Sequence, residues 1–297
     1  MNAYFFTSLP AAVVRVTGED ALPYLQSQWS VDLNRLPVLS TRMGLRLSIK
    51  GKVICAAQII CLGEEEFLLV SQETAASEII SLLGENMVAD EVDFADETPQ
   101  WATHFIFGES ATATRPCPPP PACLTDGEGY IFQDPRFNQP TLTCLHPRQE
   151  IPHCLHAMEE AEENRWELHR ITNHVARVPK EIGETELPQE GGLEDHLIDF
   201  DKGCYLGQEV MARIHAMGKV QRKLLPYSCR ANPGNDLPVA LHNDEGKLIG
   251  QVKSAFAHPT DPTWVGMALL NNRAMPAFEN EEISLNQASL SPLPTAQ

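Results

Sequence analysis

The stretch Leu187–Leu225, LPQEGGLEDHLIDFDKGCYLGQEVMARIHAMGKVQRKLL, decides how the chain is read. Within it His196-Leu197-Ile198-Asp199-Phe200 alternates as a strand does, and Asp201 to Gly203 is turn chemistry. From Gly207 onward, Val210, Met211, Ile214 and Met217 return at helical spacing. The pattern predicts a strand-to-helix junction carrying Lys202, Cys204 and Tyr205. The first turn of a helix offers unpaired N–H groups and a partial positive charge, so an anionic group is favoured there, and Lys202 adds a full charge. Gly203 and Gly207 permit a sharp turn and a close approach, and a thiol beside a lysine in such a place ionises more readily than a free one. Taken singly, each residue has a plainer reading as a turn glycine, a solvated lysine or a small buried cysteine. Their crowding makes the junction the candidate site.

These residues also carry a resemblance. Lys202–Glu209, KGCYLGQE, resembles the signature KGCYxGQE of the YgfZ-type folate-binding proteins, relatives of the aminomethyltransferase T-protein of the glycine cleavage system. LPQEGGL upstream and VMARIHAMGKVQRKLL downstream are similar to the segments that flank it there. VTGEDALPYLQSQWSVDL, with Asp32, and SIKGKV at Ser48–Val53 extend the likeness toward the N-terminus. One position departs from it: where the relatives carry an acidic residue in an Arg-x-Glu-Ala-Gly run, this chain has Thr172 within Arg170-Ile171-Thr172-Asn173-His174. A carboxylate suits a pterin edge because two parallel N–H bonds can pair with it. Glu181 or Glu184 would have to take that place.

Composition bounds the rest. The chain has 297 residues, 43% hydrophobic and 21% charged, enough for two or three domains. A net charge of −18 argues against direct nucleic-acid binding, which needs a basic face. The N-terminus MNAYFFTSLPAAVVRV lacks a basic stretch followed by a long apolar run, and no apolar stretch is long enough to span a bilayer, so a cytoplasmic protein without membrane contact is expected. The eight cysteines show no CxxC spacing, which reads as reduced thiols. Cys144, His146, His153, Cys154 and His156 lack the spacing of a zinc site, and no metal is expected.

Residues 11–95 predict alternating strands and helices. A strand covers Ala12–Val16, and Thr17 would cap a helix bearing Leu22, Leu25 and Trp29. A hairpin turns at Lys50-Gly51-Lys52, a strand follows at Phe67–Val70, and Ser71 would cap a helix with Ile79, Leu82 and Leu83. TRPCPPPPACLTDG reads as an extended connector near 110–127. Strands at Tyr130–Phe132 and Thr141–Leu145 then lead to a helix over His153–Trp166. Four strands, Leu224–Cys229, Leu237–His242, Lys247–Lys253 and Trp264–Leu270, suggest a small C-terminal barrel, and the tail SLNQASLSPLPTAQ is polar.

The fold class is therefore α+β: tandem antiparallel-sheet α+β domains of the aminomethyltransferase folate-binding type with a small C-terminal β-barrel. The expected division is 1–217, two interleaved subdomains, and 218–297. The resemblance implies a folate-binding accessory protein supporting iron–sulfur cluster assembly or repair in client enzymes, including tRNA-modifying ones. Tetrahydrofolate or a related folate would be the cofactor, and iron–sulfur client or assembly proteins the partners. Lys202, Gly203, Tyr205, Gly207, Gln208 and Glu209 would contact the folate, and Cys204 would be the redox-sensitive or partner-contacting thiol. The alternative is a tetrahydrofolate-dependent aminomethyltransferase. A further enzymatic reading makes Cys204 a nucleophile with His196 or His215 as its base.

Overall fold

A computed structural model describes residues 3–108, 118–139, 141–150, 152–155, 158–234 and 236–294. Residues 114–117 of the proline-rich connector, His156 and the last three residues of the tail lie outside them. In chain order the elements are β1 (Tyr4–Ser8), β2 (Ala12–Thr17), α1 (Ala21–Gln28), β3 (Ser40–Leu47), β4 (Val53–Gly63), β5 (Glu66–Ser71), α2 (Ala76–Gly84), β6 (Asp93–Asp96), β7 (Trp101–Phe107), β8 (Cys123–Asp126), β9 (Gly129–Gln133), β10 (Leu142–Pro147) and β11 (Glu159–Glu160). There follow α3 (Glu163–Thr172), α4 (Glu194–Leu197), α5 (Gln208–Met217), β12 (Arg222–Cys229), β13 (Val239–His242), β14 (Leu248–Ala257), β15 (Trp264–Asn271), α6 (Met275–Glu279), β16 (Ser284–Leu285), β17 (Ala288–Ser289) and β18 (Ser291–Pro292).

Three sheets organise these elements: β3-β4-β5-β2-β6, β11-β1-β7-β10-β9-β8 and β13-β14-β15-β12-β18. Every pairing within them is antiparallel except β1 with β11. The fold is thus α+β with antiparallel sheets, and the C-terminal sheet occupies the segment read as a small barrel.

Alternation along the strands fixes the layers. In the first sheet Ala12, Val14 and Val16 face the helices and pack with Leu25, Trp29, Ile79 and Leu83. Val13, Ile60, Leu68 and Val70 face the second sheet and meet Trp101, Phe132 and Leu145. The far face of the second sheet buries Ile106, Ile131, Leu142 and Cys144. A separate cluster joins the end of β3, the 171–214 segment and the third sheet, through Leu45, Leu47, Ile182, Tyr205, Met211 and Met267.

Several local expectations are corrected. His196–Phe200 is not a strand: Glu194–Leu197 forms a helical turn whose Leu197 is buried, so packing on β3 overrides the apparent alternation. The helix expected over His153–Trp166 begins only at Glu163, and His153–Leu155 is a single 3-10 turn. Neither Thr17 nor Ser71 caps a helix: Asp20 precedes α1 and Ala75 precedes α2, and the Ser71 hydroxyl accepts from the Thr74 N–H at 3.2 Å. Within the proline-rich connector, Cys123–Asp126 is strand β8, because pairing with β9 satisfies its backbone.

Candidate functional site

The Lys202–Glu209 turn is built against two neighbours. Gly207 immediately precedes α5 at φ +85°, where a Cβ would lie 2.7 Å from the Ser48 carbonyl oxygen. Gly51, at φ +70° in the β3–β4 turn, would place a Cβ 2.7 Å from Met211 Cε. The glycines therefore let the start of α5 and the SIKGKV turn touch backbone to backbone. Their role is close packing of the two segments, and Gly207 lines neither of the cavities described below.

Lys202 is only 7% exposed. Its ammonium donates to the carbonyl oxygens of Gln26 at 2.7 Å, Trp29 at 2.6 Å and Val31 at 2.7 Å. An ammonium has three N–H groups, so all of them are engaged inside the protein. The carbonyls belong to the end of α1 and the loop after it, where no helical partner remains for them. Burial pulls the Lys202 pKa down to about 8, against the opposing charges of Asp32 and Asp199. In this arrangement Lys202 ties the α1 loop to the turn. The Nζ also lies 5.2 Å from the Tyr205 ring centroid. Tyr205 is buried, its hydroxyl has no hydrogen-bond partner among the described residues, and burial pushes its pKa up to about 12.

The other residues of the turn point elsewhere. Gly203, Cys204 and Glu209 are exposed and Gln208 is half-buried. An open cleft of about 820 Å³ beside the turn is lined by Asp32, Arg42, Asp199, Phe200, Lys202 and His215, among others. Asp199 Oδ2 accepts from the Asp32 N–H at 2.6 Å and from Arg42 at 2.8 Å. The His215 ring stacks on Phe200 at 3.9 Å and lies 3.9 Å from Glu194 Oε2. Gly203, Cys204, Tyr205, Gln208 and Glu209 line neither this cleft nor the cavity below. Of the six residues expected to contact folate, Lys202 alone lines either of these two spaces. His215 is engaged with Phe200, and His196 is exposed.

A second space, of about 170 Å³, lies between the first two sheets and α3. Its walls include Phe6, Phe105, Phe137 and Trp166. Phe105 stacks on Trp166 with centroids 4.3 Å apart and planes 9° from parallel, and Phe6 follows at 6.2 Å and the same tilt. At that separation the two rings cover each other, so a flat aromatic guest would meet an outer face of the stack. The polar wall includes the ion pairs Asp134 with Arg136 at 2.7 Å, Glu167 with Arg170 at 2.6 Å, and Glu73 with Arg177, beside Gln58, Gln72 and Glu163. Arg170 also meets Glu181 at 2.9 Å, and Ser254 of β14 donates to the same Glu181.

Burial alone would lower the Arg170 pKa, but Glu181 and Glu167 outweigh it and raise it. Glu73 is likewise penalised by burial and yet held below its usual range by Arg177 and Lys180. His169, behind Trp166, is driven down to about 4 by burial and hydrogen-bonds the Thr141 hydroxyl at 2.9 Å. Thr172 donates to its own helix, to Leu168 O at 2.9 Å and His169 O at 3.1 Å. Glu181 is wholly buried in the Arg170 pair and Glu184 is exposed, and neither lines this space.

No protein-family model matches the sequence. In structure, the glycine cleavage system aminomethyltransferase T from Bartonella henselae superposes with a TM-score of 0.77 at 16% identity, covering 99% of this chain and 86% of that one. The chain thus has the aminomethyltransferase T fold. In sequence it is 24% identical over 224 residues to the tRNA-modifying protein YgfZ of Colwellia psychrerythraea, covering 71% of this chain and 67% of that protein. It is 40% identical over 94 residues to the mitochondrial iron–sulfur cluster assembly factor IBA57 homologue of Mycosarcoma maydis, spanning 31% of this chain and 23% of that protein. The chain is similar in sequence to YgfZ and IBA57 proteins and shares its fold with aminomethyltransferase T. Among the described residues no helix is long and apolar enough to cross a membrane.

Proposed function

We propose that the protein is a folate-binding accessory factor that supports iron–sulfur cluster assembly or repair in client enzymes, including tRNA-modifying ones. The names of its relatives, an iron–sulfur cluster assembly factor and a tRNA-modifying protein, support the role. The observation that carries the ligand is the stacked Phe105–Trp166 pair in the cavity between the two sheets. In this reading residues 1–217 form the folate-binding region and 218–297 a separate C-terminal domain.

The cavity fits a pterin in one respect and restricts it in another. Phe6, Phe105, Phe137 and Trp166 can cover the faces of a flat ring, and Asp134–Arg136 and Glu73–Arg177 can hydrogen-bond its edge. With each of these carboxylates already paired and Thr172 turned into its helix, ring recognition rests on stacking and on shared ion-pair atoms. Cys204, exposed on the turn outside the cavity, then serves a partner or a redox reagent and not the folate.

Folinic acid or tetrahydrofolate should quench Trp166 fluorescence and raise the melting temperature by mass action on the native state. Trp166→Phe should remove the quenching and keep most of the thermal shift. No shift with wild-type protein at millimolar ligand would remove the folate reading. Folate-dependent release of ammonia from an aminomethyl-lipoyl carrier would replace the accessory role by the transferase.

A further inference from the structure

Two thiols outside every site described so far lie in contact. Cys144 sits in β10, with neighbours that alternate across the sheet: Thr143 lines the aromatic cavity, whereas Cys144 packs on the far face with Ile106, Ile131 and Leu155. Cys154, on the 3-10 turn His153–Leu155, folds back over that face and brings its Sγ to 3.6 Å from Cys144 Sγ. The Cys154 N–H donates to Asp126 Oδ2 at 3.4 Å, which ties the turn to the end of β8. Cys144 is 0% and Cys154 2% exposed, while the Arg148, Gln149 and Glu150 link between them is exposed.

We propose that Cys144 and Cys154 are a site of reversible oxidation, forming an intrachain disulfide with hydrogen peroxide or another small peroxide as the oxidant. A disulfide needs its sulfurs about 2 Å apart, so the observed pair must close by roughly 1.5 Å, a distance that small torsional changes on either side supply. Two cysteines already packed sulfur to sulfur give the second step of oxidation a high effective concentration. In the first step one thiolate attacks a peroxide oxygen, the O–O bond breaks, and a sulfenic acid and a water remain once the proton is taken up. In the second, the other sulfur displaces the hydroxyl from the sulfenic sulfur, forming the S–S bond and releasing a second water. Two thiols lose two electrons and two protons, and one peroxide becomes two waters.

The packed state slows the reaction. Hydrogen bonding between the two sulfurs, followed by burial, holds the Cys144 thiol protonated well above the usual thiol range. Because the thiolate is the nucleophile, oxidation is gated by outward movement of the 153–155 turn. The bond would fix that turn to β10, the strand that presents Thr143 to the cavity.

The test uses the full chain. Exposed thiols, Cys204 first, are alkylated under native conditions, and the protein is treated with hydrogen peroxide. It is then denatured, alkylated with a second, heavier reagent and digested with trypsin for mass spectrometry. The expected product is a cross-linked pair of peptides containing Cys144 and Cys154, lighter by two hydrogens than the reduced pair and separated by dithiothreitol. The product should be absent from Cys144→Ser and Cys154→Ser. Recovery of both cysteines bearing the heavier reagent, a cross-link through another cysteine, or a sulfinic product that dithiothreitol does not reverse would overturn the proposal. The wild-type digest alone decides between these outcomes, whether or not the variants fold.

Discussion

The Lys202–Glu209 turn and the Trp166 cavity divide the labour differently from what their sequences suggest. The turn gathers a lysine, a thiol, a tyrosine and two glycines into one short segment, yet its lysine binds three backbone carbonyls and its Gly207 packs against Ser48 and Leu47. The cavity takes its walls from many separate elements, among them β1, β4, β5, β7, β10, the Asp134–Phe137 segment and α3, and its aromatic residues carry no motif. A dense motif marks a place where many constraints meet, and here the constraints are those of docking one segment on another. A ligand needs a concave space with surfaces left uncovered, and the aromatic cavity is such a space, formed where separate elements converge.

Mutations separate the two regions. The greatest loss of stability is expected at the cavity wall, for Arg170→Ala. It leaves Glu167 and Glu181 buried without their cation and should cost about 3–5 kcal/mol in denaturant unfolding. A smaller figure would mean that water enters and compensates. In the turn, Lys202→Met removes three charge-assisted hydrogen bonds and strands the carbonyls of Gln26, Trp29 and Val31. A loss of about 2–3 kcal/mol is expected, without loss of ligand quenching at Trp166. If binding vanished while stability held, the turn would be the ligand site after all.

Next in size is the pH dependence of the cavity side. An unfolded histidine takes up its proton near 6.5, but folded His169 does so only near 4. Between those values the unfolded state holds more protons, so this contribution is fully present above pH 6.5 and is lost as pH falls toward 4. The loss amounts to up to about 3 kcal/mol once the pH is below 4 and should disappear in His169→Gln. Least of all, Gly203→Ser should change stability by under about 0.5 kcal/mol, because a Cβ there meets nothing within 4 Å. A larger change would show that the turn is tighter than the structure describes.

Much of the fold was legible because its signals are local. Ala12–Thr17, the hairpin around Gly51, α5 and the four main C-terminal strands follow from alternation, helical spacing and turn residues. The His196–Phe200 segment misled because five residues of alternation cannot separate a strand from one helical turn docked through Leu197. The cavity was not legible for a different reason. Phe6 and Phe105 are each one aromatic in an ordinary strand, and they meet only through the β1–β7 pairing, which sets Phe6 directly opposite Phe105 across about a hundred residues of chain. Trp166 completes the stack from a helix whose start lay ten residues beyond the expected one. The one readable hint was the aromatic clustering in Tyr4-Phe5-Phe6 and Phe105-Ile106-Phe107.

Folinic acid titrated into wild-type, Phe105→Ala and Cys204→Ser proteins, followed by Trp166 fluorescence, tests where the ligand sits. The wild type and Cys204→Ser should quench with the same midpoint, and Phe105→Ala should bind at least about tenfold more weakly through loss of one stacking face. Unchanged binding in Phe105→Ala together with a loss in Cys204→Ser would move the ligand to the turn and contradict the assignment to the cavity.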